Sequence, residues 1–107
     1  MELEHMTREE KSLLLYLETQ AVDYGGKIQS VRMNADDHTI ATRWKDVGFI
    51  QFGRIAFKDI DNSTGNYPRT HWVVLSEEAW RLAHEERRVR CQRIMEKMPT
   101  ERIGLVA

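Results

Sequence analysis

The apolar positions change period along the chain. Leu13, Leu14, Tyr16, Leu17, Ala21 and Val22 recur at helical spacing, with Leu15 between them. Thr7-Arg8-Glu9-Glu10 in front of them is a capping box, and Gly25-Gly26 behind them is a helical stop. This predicts a first helix over residues 8–24. Lys27-Ile28-Gln29 reads as a short extended piece, and Ser30 can cap a brief helical turn through Val31, Arg32 and Met33. Asn34 caps a further helix, residues 35–47, with Asp36 and Asp37 at the positive end of its dipole. Ile40, Trp44 and Val47 recur at i, i+4 and i+7, which predicts one buried stripe with Ala41 beside it, closed by Gly48. The opposite, exposed face carries His38, Thr42 and Lys45, with Thr39, Arg43 and Asp46 at its margins.

The period then shortens. Residues 49–60 read as a strand through Phe49, Ile50, Phe52, Ile55, Phe57 and Ile60, with Gly53 at a bulge. Residues 61–69 are nearly all turn formers, and residues 70–75 return as a strand. Trp72 and Val74 fall on one face of that strand, Val73 and Leu75 on the other, so the pair predicts a two-stranded hairpin with a polar tip. Ser76 caps a last helix, with Glu77 and Glu78 in its first turn, running to about Met98 before Pro99. Residues 100–107 form a tail whose Ile103, Leu105 and Val106 can dock on the core or a partner. Residues 1–5 look like an added lead, so residues 1–6 are expected to be flexible or extraneous.

A chain of 107 residues with 31% charged positions suits one soluble domain with its own core. Its net charge of −1 gives no global pull toward nucleic acid or anionic membrane, so a binding face has to come from local segregation of charge. A single cysteine, Cys91, excludes an internal disulfide. No apolar run reaches membrane length and the charged start is no signal peptide, which together predict a cytoplasmic protein.

Catalytic chemistry finds little footing. His84-Glu85-Glu86-Arg87-Arg88 lacks the second histidine of a zinc-protease helix, and the other histidines, at 5, 38 and 71, are scattered. One cysteine cannot complete a structural zinc site, and Gly25-Gly26-Lys27 lacks phosphate-loop spacing. No enzyme, metal or cofactor is therefore expected. Trp44, Trp72 and Trp80 are most simply core aromatics.

The order helix, short strand, short helix, helix, strand, loop, strand, helix resembles the winged helix-turn-helix superfamily. Two pieces carry the resemblance, Trp44-Lys45-Asp46-Val47-Gly48-Phe49-Ile50 and Thr70-His71-Trp72-Val73-Val74-Leu75-Ser76. The first is similar to the family's passage from recognition helix to wing strand, the second to the return strand that feeds a C-terminal helix. The resemblance spans residues 7–98. It implies an α+β winged helix with three N-terminal helices, a two-stranded wing and a long C-terminal helix. Helix 35–47 would enter the major groove and loop 61–69 would be the wing.

Under that resemblance three groups are candidate nucleic-acid contacts. His38, Thr42, Arg43 and Lys45 lie on the third helix; Arg54, Lys58, Tyr67 and Arg69 lie on the hairpin, with Asn62, Ser63, Thr64 and Asn66 at its tip. Arg87, Arg88, Arg90 and Arg93 form a basic run on the last helix that is equally a solvated face, with Glu85 and Glu86 pairing along it. The first helix is acidic, and Asp36 and Asp37 count against DNA. Two functions stay open. One is a small DNA-binding regulator or accessory factor of phage or prophage type. The other is an interaction module that inhibits a host complex, of anti-CRISPR or antirepressor type. A homodimer seam through Trp80, Ala83, Cys91, Ile94 and Met98 is conceivable, with Arg87 interrupting it.

Overall fold

The computed structural model describes residues 1–61 and 67–98. The expectations for Asn62, Ser63, Thr64 and Asn66, and for the tail at Ile103, Leu105 and Val106, lie outside the described residues. The fold is α+β, with three α-helices and a three-stranded antiparallel sheet.

Helix α1, Arg8–Tyr24, begins where predicted: Glu10 N donates to Thr7 Oγ1 and Thr7 N to Glu10 Oε1, both at 3.1 Å. It stops at Gly25, whose φ of 62° is left-handed. Gly26 follows at φ 88°, and a Cβ there would lie 2.4 Å from the Val73 carbonyl oxygen. This position needs glycine because the backbone of strand β1, Lys27–Ile28, crosses there onto strand β3, His71–Leu75.

β3 is the central strand, flanked by β1 and by β2, Ile50–Arg54. The expected two-stranded hairpin is thus a three-stranded sheet, because Lys27 and Ile28 pair with Trp72 and His71. The expected strand 49–60 is also shorter. Its register sets Arg54 against His71, and continuing it would set Phe57 against Pro68, which has no N–H to give. The chain instead makes a 3-10 turn, Phe57–Asp59, and Phe57 is 89% exposed.

Of the three helices expected before the hairpin, the second is only a 3-10 turn, Ser30–Arg32. The five residues between β1 and the Asn34 cap leave no room for an α-helix. Helix α2, Ala35–Asp46, has its own capping box from Asn34 and Asp37. It buries Ile40, Ala41 and Trp44, but not Val47, which is 66% exposed. The helix ends one residue before Val47, the chain turns at Gly48 (φ 77°), and Phe49 takes the expected place with its ring 5.2 Å from Trp44.

Helix α3, Glu77–Glu96, starts at the Ser76 cap. Its first half buries Ala79, Leu82 and Ala83 against α1, together with Leu13, Leu14 and Leu17. Ala83 thus belongs to the chain's own core rather than to a dimer seam. Every residue from 91 to 98 is exposed. Ile28, Ile50, Phe52, Val73 and Leu75 face the helices. Trp72 and Val74 lie on the open face of the sheet, so Trp72, at 36% exposure, is not a core aromatic; it covers Gly53. Trp44 is buried as expected, and Trp80 packs at the core margin. Residues 1–6 lie against the body: Met6 is in the core, Leu3 packs on it, and the terminal amine pairs with Glu78.

Candidate functional site

α2 runs through one turn into β2, so the helix and hairpin form a single surface. Thr42, Arg43 and Lys45 are exposed on it as predicted. Arg43 is partly spent, since its Nη2 lies 3.0 Å from Glu10 Oε2 on α1. His38, expected on the open face, is half-buried. Its ring lies 5.7 Å from His71 and 6.3 Å from Phe52, and Phe52 stacks on His71 at 5.5 Å. The reason is register: Phe52 and Arg54 alternate on the helix-facing side of β2, and His71 opposes Arg54 there.

His71 is further fixed by a polar chain. Its Nδ1 shares a 2.8 Å hydrogen bond with Thr70 Oγ1, which shares another with Ser30 Oγ. Burial lowers the His71 pKa below the usual histidine value, and the neighbouring His38 and Arg54 charges push the same way. At neutral pH this imidazole is uncharged. Asp37, read as a repulsive charge, is engaged in the helix cap, where its carboxylate accepts from Asn34 N at 3.2 Å. Asp36 remains exposed.

The hairpin cations separate. Arg54 and Lys58 are exposed and take no ion pair among the described residues. Arg69 turns inward. Its Nη1 donates at 2.6 Å to both Gln20 Oε1 and the Lys27 carbonyl, and its guanidinium lies 3.6 Å from the centre of the Tyr24 ring. It ties the end of α1 to the hairpin and is a poor phosphate contact. Tyr67 is exposed, and its carbonyl accepts from Gln29 Nε2 at 2.9 Å. Tyr24, Lys27, Gln29, Tyr67 and Arg69 border a hollow of about 380 Å³.

The basic run of α3 separates too. Arg87 donates Nε to the buried Glu18 carboxylate and Nη2 to Thr19 Oγ1 at 2.6 Å and to the Leu15 carbonyl at 3.1 Å. It clamps α1 to α3. Arg90 donates Nε to Glu86. Arg88 is exposed. Arg93 joins Arg90 on a groove of about 470 Å³ whose other wall is Arg8, Lys11 and Ser12 of α1. Sequence reading missed those α1 residues because the helix as a whole is acidic. At about 100° per residue, Arg8, Lys11 and Ser12 lie on a different side of it from Glu10.

No protein-family model, curated protein or solved structure matches this chain. Among the described residues no helix is long and apolar enough to cross a membrane.

Proposed function

We propose that the chain is a winged-helix DNA-binding protein that acts by occupancy, as a small regulator or accessory factor. α2 is its recognition helix and the β2–β3 hairpin its wing. One observation carries the reading: the contact between His38 and His71 makes the polar face of α2 continuous with Arg54 at the hairpin. Thr42 and Lys45 then face base edges and phosphates, with Arg54 and Lys58 on the flanking backbone. The sheet order β1-β3-β2, with α2 feeding β2 directly, supports the same assignment. Arg69, Arg87 and Arg90 carry no part of it.

A second reading, a protein-interaction module, is favoured by a different observation: Arg43, Arg69, Arg87 and Arg90 are engaged within the chain. Fluorescence anisotropy against mixed duplex DNA at about 50 and about 200 mM salt separates the two, because phosphate contacts give a steep loss of affinity with salt. Binding that weakens at least tenfold over that range, by about one decade or more, supports the DNA reading. Absence of binding at micromolar protein in the lower salt leaves the protein-partner reading in its place.

A further inference from the structure

The groove between the first turns of α1 and the second half of α3 concentrates charge on a chain that has almost none overall. Arg8, Lys11, Arg90 and Arg93 line it, against the single carboxylate of Glu86. Four cations against one anion leave a local excess of three, while the whole chain has a net charge of −1. Like charges drawn together this way repel one another unless an anion sits among them. The hollow beside it, lined by Glu2, Glu4, Glu85, Lys11 and Arg81, is mixed in sign. The excess is thus confined to one side of Lys11 and Glu86.

The groove also has a built floor. Glu86 is only 2% exposed, and its Oε2 accepts from Arg90 Nε at 2.5 Å. That bond spends the Nε of Arg90. The Nη2 makes only a long 3.4 Å contact with Ser12 Oγ, so the outer edge of the guanidinium keeps donors for another acceptor. Glu86 Oε1 is buried and has no hydrogen-bond partner among the described residues. A buried, half-satisfied carboxylate destabilises a fold, and its place at the base of a cationic groove gives it a use: it holds Arg90 in position.

We propose that this groove is a phosphate site, built for a ligand carrying adjacent phosphate charges. A terminal phosphate brings nearly two charges and three acceptor oxygens to one point, which suits three guanidiniums, an ammonium and the Ser12 hydroxyl better than a single carboxylate does. A volume of about 470 Å³ accommodates more than one such group. The same chemistry comes from a nucleic-acid backbone or from a free polyphosphate ester. The site does not depend on the reading of α2, because Arg8, Lys11 and Ser12 lie on another side of α1 from the Glu10 that meets Arg43.

The test is calorimetric titration of the full chain with inorganic pyrophosphate at low salt, with sodium sulfate as reference. Saturable binding, stronger than for sulfate and weakened about tenfold or more by Arg93→Ala and by Arg8→Ala, is expected. Both side chains are exposed, and unchanged circular dichroism and melting will show that the variants are folded. Lys45→Ala with Arg54→Ala is expected to leave pyrophosphate affinity unchanged. Absence of saturable binding in the millimolar range, or equal affinity in the wild type and in Arg93→Ala, would overturn the proposal. Competition by duplex DNA assigns the phosphate to a nucleic-acid backbone; a lack of competition assigns it to a free phosphate ester. If DNA binding fails while pyrophosphate binding stands, only the α2 reading is lost.

Discussion

Arg54 and Arg69 flank the loop end of one hairpin, yet they do different work. Arg69 meets the end of α1, where the Lys27 carbonyl, Gln20 and the Tyr24 ring take up its guanidinium. Arg54 faces His71 across the last rung of β2 and β3 and remains exposed. α3 repeats the contrast, with Arg87 clamped to Glu18 and Arg93 left in the groove. A cation's role here follows from what the backbone sets opposite it. Equal charges along the chain therefore divide into those that hold the fold and those available to a ligand.

The contrast presupposes that α2 is held rigidly under its polar face. Trp44 is fully buried while Lys45, the next residue, is exposed. Trp44→Ala is expected to cost about 3–5 kcal/mol, the largest effect of this set, read by urea denaturation. Lys45→Ala should stay within about 0.5 kcal/mol. A loss below about 1 kcal/mol for Trp44→Ala would mean that α2 is not anchored by this ring.

Arg87→Ala comes next. It leaves the Glu18 carboxylate, 7% exposed, without its partner, and about 2 kcal/mol of stability should be lost, less than for a fully buried pair because Arg87 is half-exposed. Arg93→Ala should change the denaturation midpoint little. Equal costs for the two would erase the division along α3.

Arg69→Ala should lose about 1–2 kcal/mol by freeing the end of α1, with DNA affinity unchanged at temperatures where the variant is folded. Arg54→Ala should do the reverse, leaving stability intact and lowering the salt slope of DNA binding by about one ion. A stability loss in Arg54→Ala as large as in Arg69→Ala would contradict their separation.

The smallest effect concerns pH. The folded His71 pKa lies below its unfolded value of about 6.5, so the unfolded chain binds more protons in the window between the two. The stability this gives is present above about pH 6.5 and is lost as pH falls toward the lowered folded value. His71→Gln should remove that part of the acid-side fall in melting temperature. If the pH profiles of wild type and variant superimpose, His71 is not the group responsible.

Local rules made most of the fold legible in the sequence. The Thr7, Asn34 and Ser76 caps, the Gly25 stop and the alternation of residues 72–75 all depend on neighbours within a few positions. The misses share a cause in long-range pairing. The third strand needs Lys27 and Ile28 to meet residues more than forty positions later, and a longer β2 would run its register onto Pro68, ahead of β3. Val47 looked buried because periodicity cannot show where a helix stops.

The candidate site followed the same pattern. Thr42 and Lys45 stand exposed because no other element covers their face of α2, and Arg54 and Lys58 because they lie at the end of β2 and beyond it. The intrachain bonds of Arg69 and Arg87 were not legible because their acceptors, Gln20 and Glu18, lie far away in sequence. The phosphate groove was invisible for the converse reason: two helices each supply half of it.

Chemical-shift mapping tests the central claim most directly. Adding duplex DNA to isotope-labelled protein should move the amides of residues 38–46 and 50–54, on α2 and β2, together and saturably. Unmoved amides in both segments, whatever else shifts, would contradict the assignment of α2 and the hairpin as the DNA-binding face.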